Sequence, residues 1–413
     1  MPAASRELMR DRGESGSRVT NIELFFDLVY VFAITQLSHY LLHHLTVVGA
    51  LQGAVLLGMV WLLWAYTTWV TNWLDPDRIP VRLLLLALMA VALVLSAALP
   101  DAFTASGVLV GCSYAVMQIG RSVFAVWALR GQPLGVNFQR ILAWCCVSGA
   151  LAVAGGLTSA VLARSLLWLA AVGVDLLGGA VGFWTPGLGA TPTRDWNIAG
   201  GHFAERCQAF ILIALGESIV VIGATLGGLL AGPLARPHAQ HAPTIAAFGV
   251  AFVESAALWW LYFDRSAGDA ARLIAASDDP GRLARSAYHF IHPIMVAGII
   301  VVAAADDRVL AEPSAVAGAA VTWLILGGAG LFIAGHLAFK LAVWRRLNWP
   351  RTAALGVLAL LALLAPHVSR LILASCAAAV VLGVAGADHW GRETGAAGGD
   401  LGPDGARSTE LRS

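Results

Sequence analysis

Charge is scarce in this 413-residue chain. Asp, Glu, Lys and Arg make up 12% of it, about half the roughly 25% of soluble domains. Lysine is almost missing, with Lys340 alone among 26 basic residues, and the net charge is only +1. That balance shows no basic patch of the kind that binds nucleic acid. Cysteine is sparse too. Cys112, Cys145, Cys146, Cys207 and Cys376 all lie in apolar stretches and none forms C-x-x-C. They read as small buried residues rather than a disulfide framework or a metal site. The P-loop, G-x-S-x-G, H-E-x-x-H and dinucleotide motifs are missing. No enzymatic activity, cofactor or resident metal is therefore expected.

What remains is apolar. The chain is 58% hydrophobic with a mean hydropathy of +0.75. Apolar runs near the ~20 residues needed to cross a bilayer recur at 22–42, 48–72, 81–99, 105–129, 139–160, 164–185, 203–229, 243–263, 286–305, 314–338, 351–366 and 368–386. Gly, Pro and charge clusters separate them. The expected fold is an all-α, polytopic transmembrane bundle of about twelve spans, in two halves of six that run parallel if they arose by duplication. The expected divisions are a polar N-terminus (1–20), a first membrane half (21–186), a connecting loop (187–202), a second half (203–386) and a disordered tail (387–413).

The basic residues test this count. With the N-terminus inside, twenty of the 26 fall on inner segments, while Arg164, Arg236, Arg308 and Arg370 fall outside and Arg121 and Arg206 within spans. Such a bias follows the positive-inside rule and places both termini in the cytoplasm. No cleavable leader precedes the first span, so it reads as a retained anchor. Trp69, Trp73, Trp127, Trp184, Trp259, Trp260, Trp344 and Trp349 lie near span ends, as in an aromatic belt.

The chemistry lies in the few charges inside the spans. The first span holds Glu23 and Asp27 four residues apart, hence on one helix face, with Tyr30 and Ser38 close to the same stripe. A charge at the bilayer centre costs on the order of 2.5–3.5 kcal/mol by insertion scales, so these groups face protein, water or an ion. The seventh span carries Glu205, Arg206 and Glu217. Arg206 and Glu217 share a face about 16 Å apart in height, too far to pair, so each needs a partner elsewhere. Arg206 could answer Glu23 or Asp27, and Arg121 is a second candidate partner for the acids of the first span. Gly216 would let another backbone approach Glu217. Asp175, Glu254 and His292 are weaker candidates. His289 and His292, three residues apart, lack the third ligand of a metal site.

Glu23-Leu24-Phe25-Phe26-Asp27-Leu28-Val29-Tyr30-Val31-Phe32-Ala33-Ile34 resembles the signature of the bacterial low temperature requirement A family. So do His202-Phe203-Ala204-Glu205-Arg206, Leu215-Gly216-Glu217-Ser218-Ile219, Leu261-Tyr262-Phe263 and His292-Pro293, in that order. The resemblance covers about residues 17 to 385. It implies a polytopic bacterial membrane protein linked by name to growth in the cold, without a substrate or mechanism. A weaker likeness joins Phe26-Asp27 and Phe32-Ala33-Ile34 to the first helix of a class of potassium channels. On the residues alone, the expected function is proton- or cation-coupled secondary transport. The alternatives are an ion channel or a membrane sensor or assembly protein. The expected partners are the bilayer, a small ion or molecule and a possible second copy.

Overall fold

The computed structural model describes residues 8–10, 19–191, 200–231, 242–264, 266–275, 277 and 279–399. Most of the polar N-terminus, the middle of the 187–202 loop and the tail from 400 lie outside them. The described residues are almost wholly helical: α1 Asn21–His43, α2 Val47–Trp73, α3 Ile79–Ala98, α4 Gly107–Ala128, α5 Pro133–Leu157, α6 Val161–Ala180, α7 Gly200–Ala231, α8 Ala242–Phe263, α9 Ser266–Ala275, α10 Pro280–Ala284, α11 His292–Ala311, α12 Ala319–Trp344, α13 Trp349–Leu361 and α14 Arg370–Gly399. A π-helical turn, Arg285–Ile291, joins α10 to α11.

Ten of these helices are long and apolar enough to cross a membrane. They match ten of the twelve expected spans. The other two are α11, which carries Asp306, Asp307 and Arg308 near its end, and α13, whose 13 residues reach only about 20 Å of a ~30 Å hydrocarbon core. The turn after α13 completes the distance, because Arg370 N and Leu371 N bond to Ala315 O and Pro313 O beside the start of α12. α14 continues through the expected start of the tail to Gly399.

Backbone and side-chain hydrogen bonds fix which loops share an end. Arg10 N bonds to Trp73 O and Asp75 N to Leu8 O, Arg140 reaches Leu188 O, and Arg285 Nη1 reaches Gly179 O at 2.7 Å. At the opposite end, Arg164 binds Ala102 O at 2.9 Å and Thr158 O at 2.8 Å. Arg308 donates there to Leu42 O at 2.9 Å. Consecutive helices therefore alternate in direction, as the cation pattern requires.

α2 is the hub. From Leu56 to Trp73 its side chains are nearly all buried, since α1, α4, α6, α7 and α11 pack around it. A helix apolar all round belongs at such a position. This also corrects the reading of Trp69 and Trp73, which stack on one another inside the bundle rather than at headgroup depth. Trp127, Trp184, Trp259, Trp260 and Trp349 do face outward. Cys112 and Cys146 are likewise exposed on the bundle surface, and the five cysteines are free.

Glycines set the tightest helix pairs. On Gly111 of α4 a Cβ would strike the carbonyl of Ala152 on α5. On Gly298 of α11 it would lie 2.5 Å from the backbone N of Phe332 on α12. Close backbone approach of this kind replaces the hydrophobic drive that helix pairs lack in lipid.

Candidate functional site

The capping box at Thr20 starts α1 and places Glu23 in its first turn. Glu23 Oε2 accepts from Thr20 N at 2.9 Å and from Thr20 Oγ1 at 3.0 Å. Arg10 Nη2 bonds the same oxygen at 3.0 Å and anchors itself through Nη1 to Thr71 O at 2.9 Å. Glu23 Oε1 lies 2.8 Å from His202 Nε2 and 3.1 Å from Arg206 Nη1. One turn deeper, Asp27 Oδ1 accepts from Arg206 Nη2 at 2.6 Å and from Trp64 Nε1 at 2.7 Å. The Arg206 guanidinium also sits against the rings of Phe26 and Trp64.

The network is charge-balanced. Asn72 Nδ2 lies 3.2 Å from His202 Nδ1. An amide nitrogen only donates, so Nδ1 accepts, Nε2 carries the hydrogen given to Glu23, and the imidazole is neutral. Two carboxylates then face two guanidinium groups, all of them at least nine-tenths buried. Short charge-assisted bonds of this type are what allow buried ions to remain. α1 and α7 thus meet through Arg206, as expected.

Glu217 belongs to a different setting. It lies about 16 Å along α7 from Arg206, is 1% exposed, and its Oε2 accepts a short bond from Thr35 Oγ1 on α1. No ion pair to it is present among the described residues. Glu254 on α8 and Asp306 on α11, 3% and 4% exposed, interact electrostatically with one another. Glu254 Oε1 and Asp306 Oδ2 have no hydrogen-bond partner among the described residues. The apolar pattern had placed Asp306 in an outer loop. Only its position on α11, opposite Glu254, makes it part of the interior.

Other expected residues sit apart. Arg121 makes no ion pair with Glu23 or Asp27 among the described residues. Its guanidinium bonds Gln118 Oε1, reaches Leu63 O and Thr67 Oγ1 at 3.4 Å, and stacks on Tyr66, because α4 packs on α2, α3 and α5. Gln118 also donates to Asp175 Oδ2 at 2.5 Å, beside Tyr114 Oη at 2.5 Å. Glu205 is exposed and accepts from Val19 N at 3.3 Å, outside the buried network. Gly216 admits no close backbone, since a Cβ there meets open space. It lies one residue around the helix from the face that Glu217 turns inward. Tyr30 is buried against Phe26 and Phe210 with a hydroxyl that has no partner among the described residues.

His292 stacks between Trp61, Tyr262 and Tyr288 with Nε2 3.2 Å from Cys207 O. The neighbouring Pro293 lacks the N–H that would bond His289 O four residues back. Trp61 Nε1 takes that carbonyl at 2.9 Å instead. Among the described residues, no group of three His, Cys, Asp or Glu is placed to hold a metal ion.

Glu23, Asp27, His202, Arg206 and Glu217 are thus brought onto one α1–α7 seam. Residues 18–386 match the family described as Bacterial low temperature requirement A protein (LtrA). The chain belongs to that family. The chain is also 34% identical over 380 residues to an uncharacterized protein of Rhizobium meliloti (strain 1021), covering 91% of this chain and 90% of the relative. No solved structure matches it. The family match runs from before the first of the ten long apolar helices into the last of them, so the protein is a multi-pass membrane protein of the LtrA family.

Sequence reasoning missed Arg10, Trp64 and Asn72 as members of the seam. A tryptophan in the middle of an apolar span was the available signal, since a buried indole N–H needs an acceptor. Nothing in the spacing of Arg10 pointed to Glu23.

Proposed function

We propose that this LtrA protein is a proton-coupled secondary transporter of the bacterial plasma membrane, with Glu217 as the proton-carrying carboxylate. The observation that supports this reading is the contrast along the α1–α7 seam. Glu23 and Asp27 are neutralised by Arg10 and Arg206, whereas among the described residues Glu217 is bonded by the Thr35 hydroxyl and by no cation. An ionised carboxylate without a counter-charge is too costly to keep in such an interior. In this reading Glu217 is the carboxylate that takes up and releases the transported proton as the conformation changes. Glu254 on α8 and Asp306 on α11 are two further buried carboxyl groups that such a path could use. The ion-paired seam is the rigid reference against which that loading occurs.

The test is a pH step on proteoliposomes adsorbed to a solid-supported membrane. The wild-type protein should give a transient charge displacement that decays as the carboxylates fill. Glu217→Gln, which keeps shape and removes the charge, should lose it while the protein remains folded. A sustained current would point to a channel, and no displacement from folded wild-type protein would remove proton coupling altogether.

The same reading places both termini in the cytoplasm. It predicts that, in a background lacking Cys112 and Cys146, an impermeant thiol reagent labels a Val316→Cys variant in whole cells. An Asp77→Cys variant should react only after permeabilisation. Labelling of residue 77 from outside would invert the orientation.

A further inference from the structure

We propose that the cavity enclosed by α2, α4, α5 and the π-helical turn binds a small monovalent anion. This site is separate from the α1–α7 seam, and the inference holds whether or not protons move through Glu217. Arg121, Asn137, Arg285 and His289 supply its polar lining, against walls that include Trp69 and Trp73. Its volume is about 30 Å³, which suits one ion or a carboxylate head with a water beside it. A bulky organic molecule does not fit.

Three observations select an anion. Asn137 is 2% exposed, yet neither its Nδ2 nor its Oδ1 has a partner among the described residues. A buried amide left in that state is costly, and an anion in the cavity that Asn137 lines would supply the acceptor its N–H₂ needs. Arg285 at the rim donates through Nη1 to Gly179 O, and its Nε has no partner among the described residues. Arg121 reaches an acid only through Gln118, which stands between it and Asp175.

The charges facing the cavity set the valence. Arg121 and Arg285 are its two cations. Asp175 behind Gln118 offsets one of them. Asp279 caps the helix at Arg282 N, lies 4.0 Å from the Arg282 guanidinium and also interacts with Arg285. Arg121, Arg282 and Arg285 against Asp175 and Asp279 leave one positive charge over, which a single monovalent anion balances. His289 has a free Nδ1 among the described residues and adds a ring edge that can donate to that anion or accept from a water beside it.

The test uses the purified full-length protein in detergent, unfolded by heat and followed by circular dichroism at constant ionic strength. Chloride or formate replaces gluconate, which is too large for the cavity. Either small anion should raise the midpoint saturably, as for a ligand of the native state. Asn137→Leu keeps the volume and removes the amide. Arg285→Gln removes the charge at the partly exposed rim. Each should weaken the apparent affinity at least tenfold. If Asn137→Leu does not fold, Arg285→Gln carries the comparison alone. A rise equal in wild type and variants would be a general salt effect and would overturn the site. So would the absence of any rise, which would leave only water in the cavity.

Discussion

Arg206→Gln is expected to abolish the accumulation of folded protein. The arginine is fully buried and holds Asp27 Oδ1 at 2.6 Å and Glu23 Oε1 at 3.1 Å. Removing one member of a buried ion pair leaves an uncompensated charge and costs about 3–5 kcal/mol. That is a large share of the roughly 5–15 kcal/mol that keeps a typical protein folded. Glu23 would retain Arg10, but Asp27 would keep only the Trp64 indole. The double variant Asp27→Asn/Arg206→Gln should therefore be more stable than Arg206→Gln alone, because it leaves the balanced Glu23–Arg10 pair. Gel filtration of detergent-solubilised protein and its thermal midpoint would measure both. A single variant as stable as the wild type would show that the seam contributes no electrostatic constraint.

The second large effect is expected at the end of the chain. Arg351 is fully buried at the start of α13 and makes a two-point contact with Asp388 on α14, Nη1 to Oδ1 at 3.0 Å and Nη2 to Oδ2 at 2.7 Å. Lys340 adds a contact at 3.2 Å, and His336 Nδ1 lies 3.4 Å from Arg351 Nη2. Asp388→Asn would leave two cations facing one another without their acid. We expect the second half of α14 to loosen from α12 and α13, with amide exchange around residues 380–390 rising at least tenfold. Exchange in α1 and α2 should stay unchanged. Arg351→Gln added to Asp388→Asn should recover part of the protection. Unaltered exchange in the single variant would show that apolar packing alone holds α14.

These two clusters also show where sequence reasoning reached and where it stopped. The approach of Arg206 to the acids of α1 was legible, because a buried arginine in one span demands an acid and α1 held the obvious ones. The Arg351–Asp388 pair was not. Arg351 lay beside a loop rich in cations and Asp388 lay past the last apolar run, so both looked solvated. Arg121 failed for a related reason. Its depth was readable, but the choice between α1 and the α2 carbonyl of Leu63 depended on which helix α4 packs against.

Hydrophobic runs, their breaks and the one-sided distribution of arginine determined by themselves that the chain is a membrane bundle and which loops share an end. Those properties follow from the cost of charge and of unpaired backbone in lipid, which acts on each segment locally. The tertiary structure alone decided which buried charges are neutralised. An ion pair is a contact between helices far apart in sequence, as Asp27 and Arg206 are, and no local pattern fixes its geometry. That is why Glu23 and Glu217 look alike in sequence, while among the described residues one meets two arginines and the other a threonine hydroxyl.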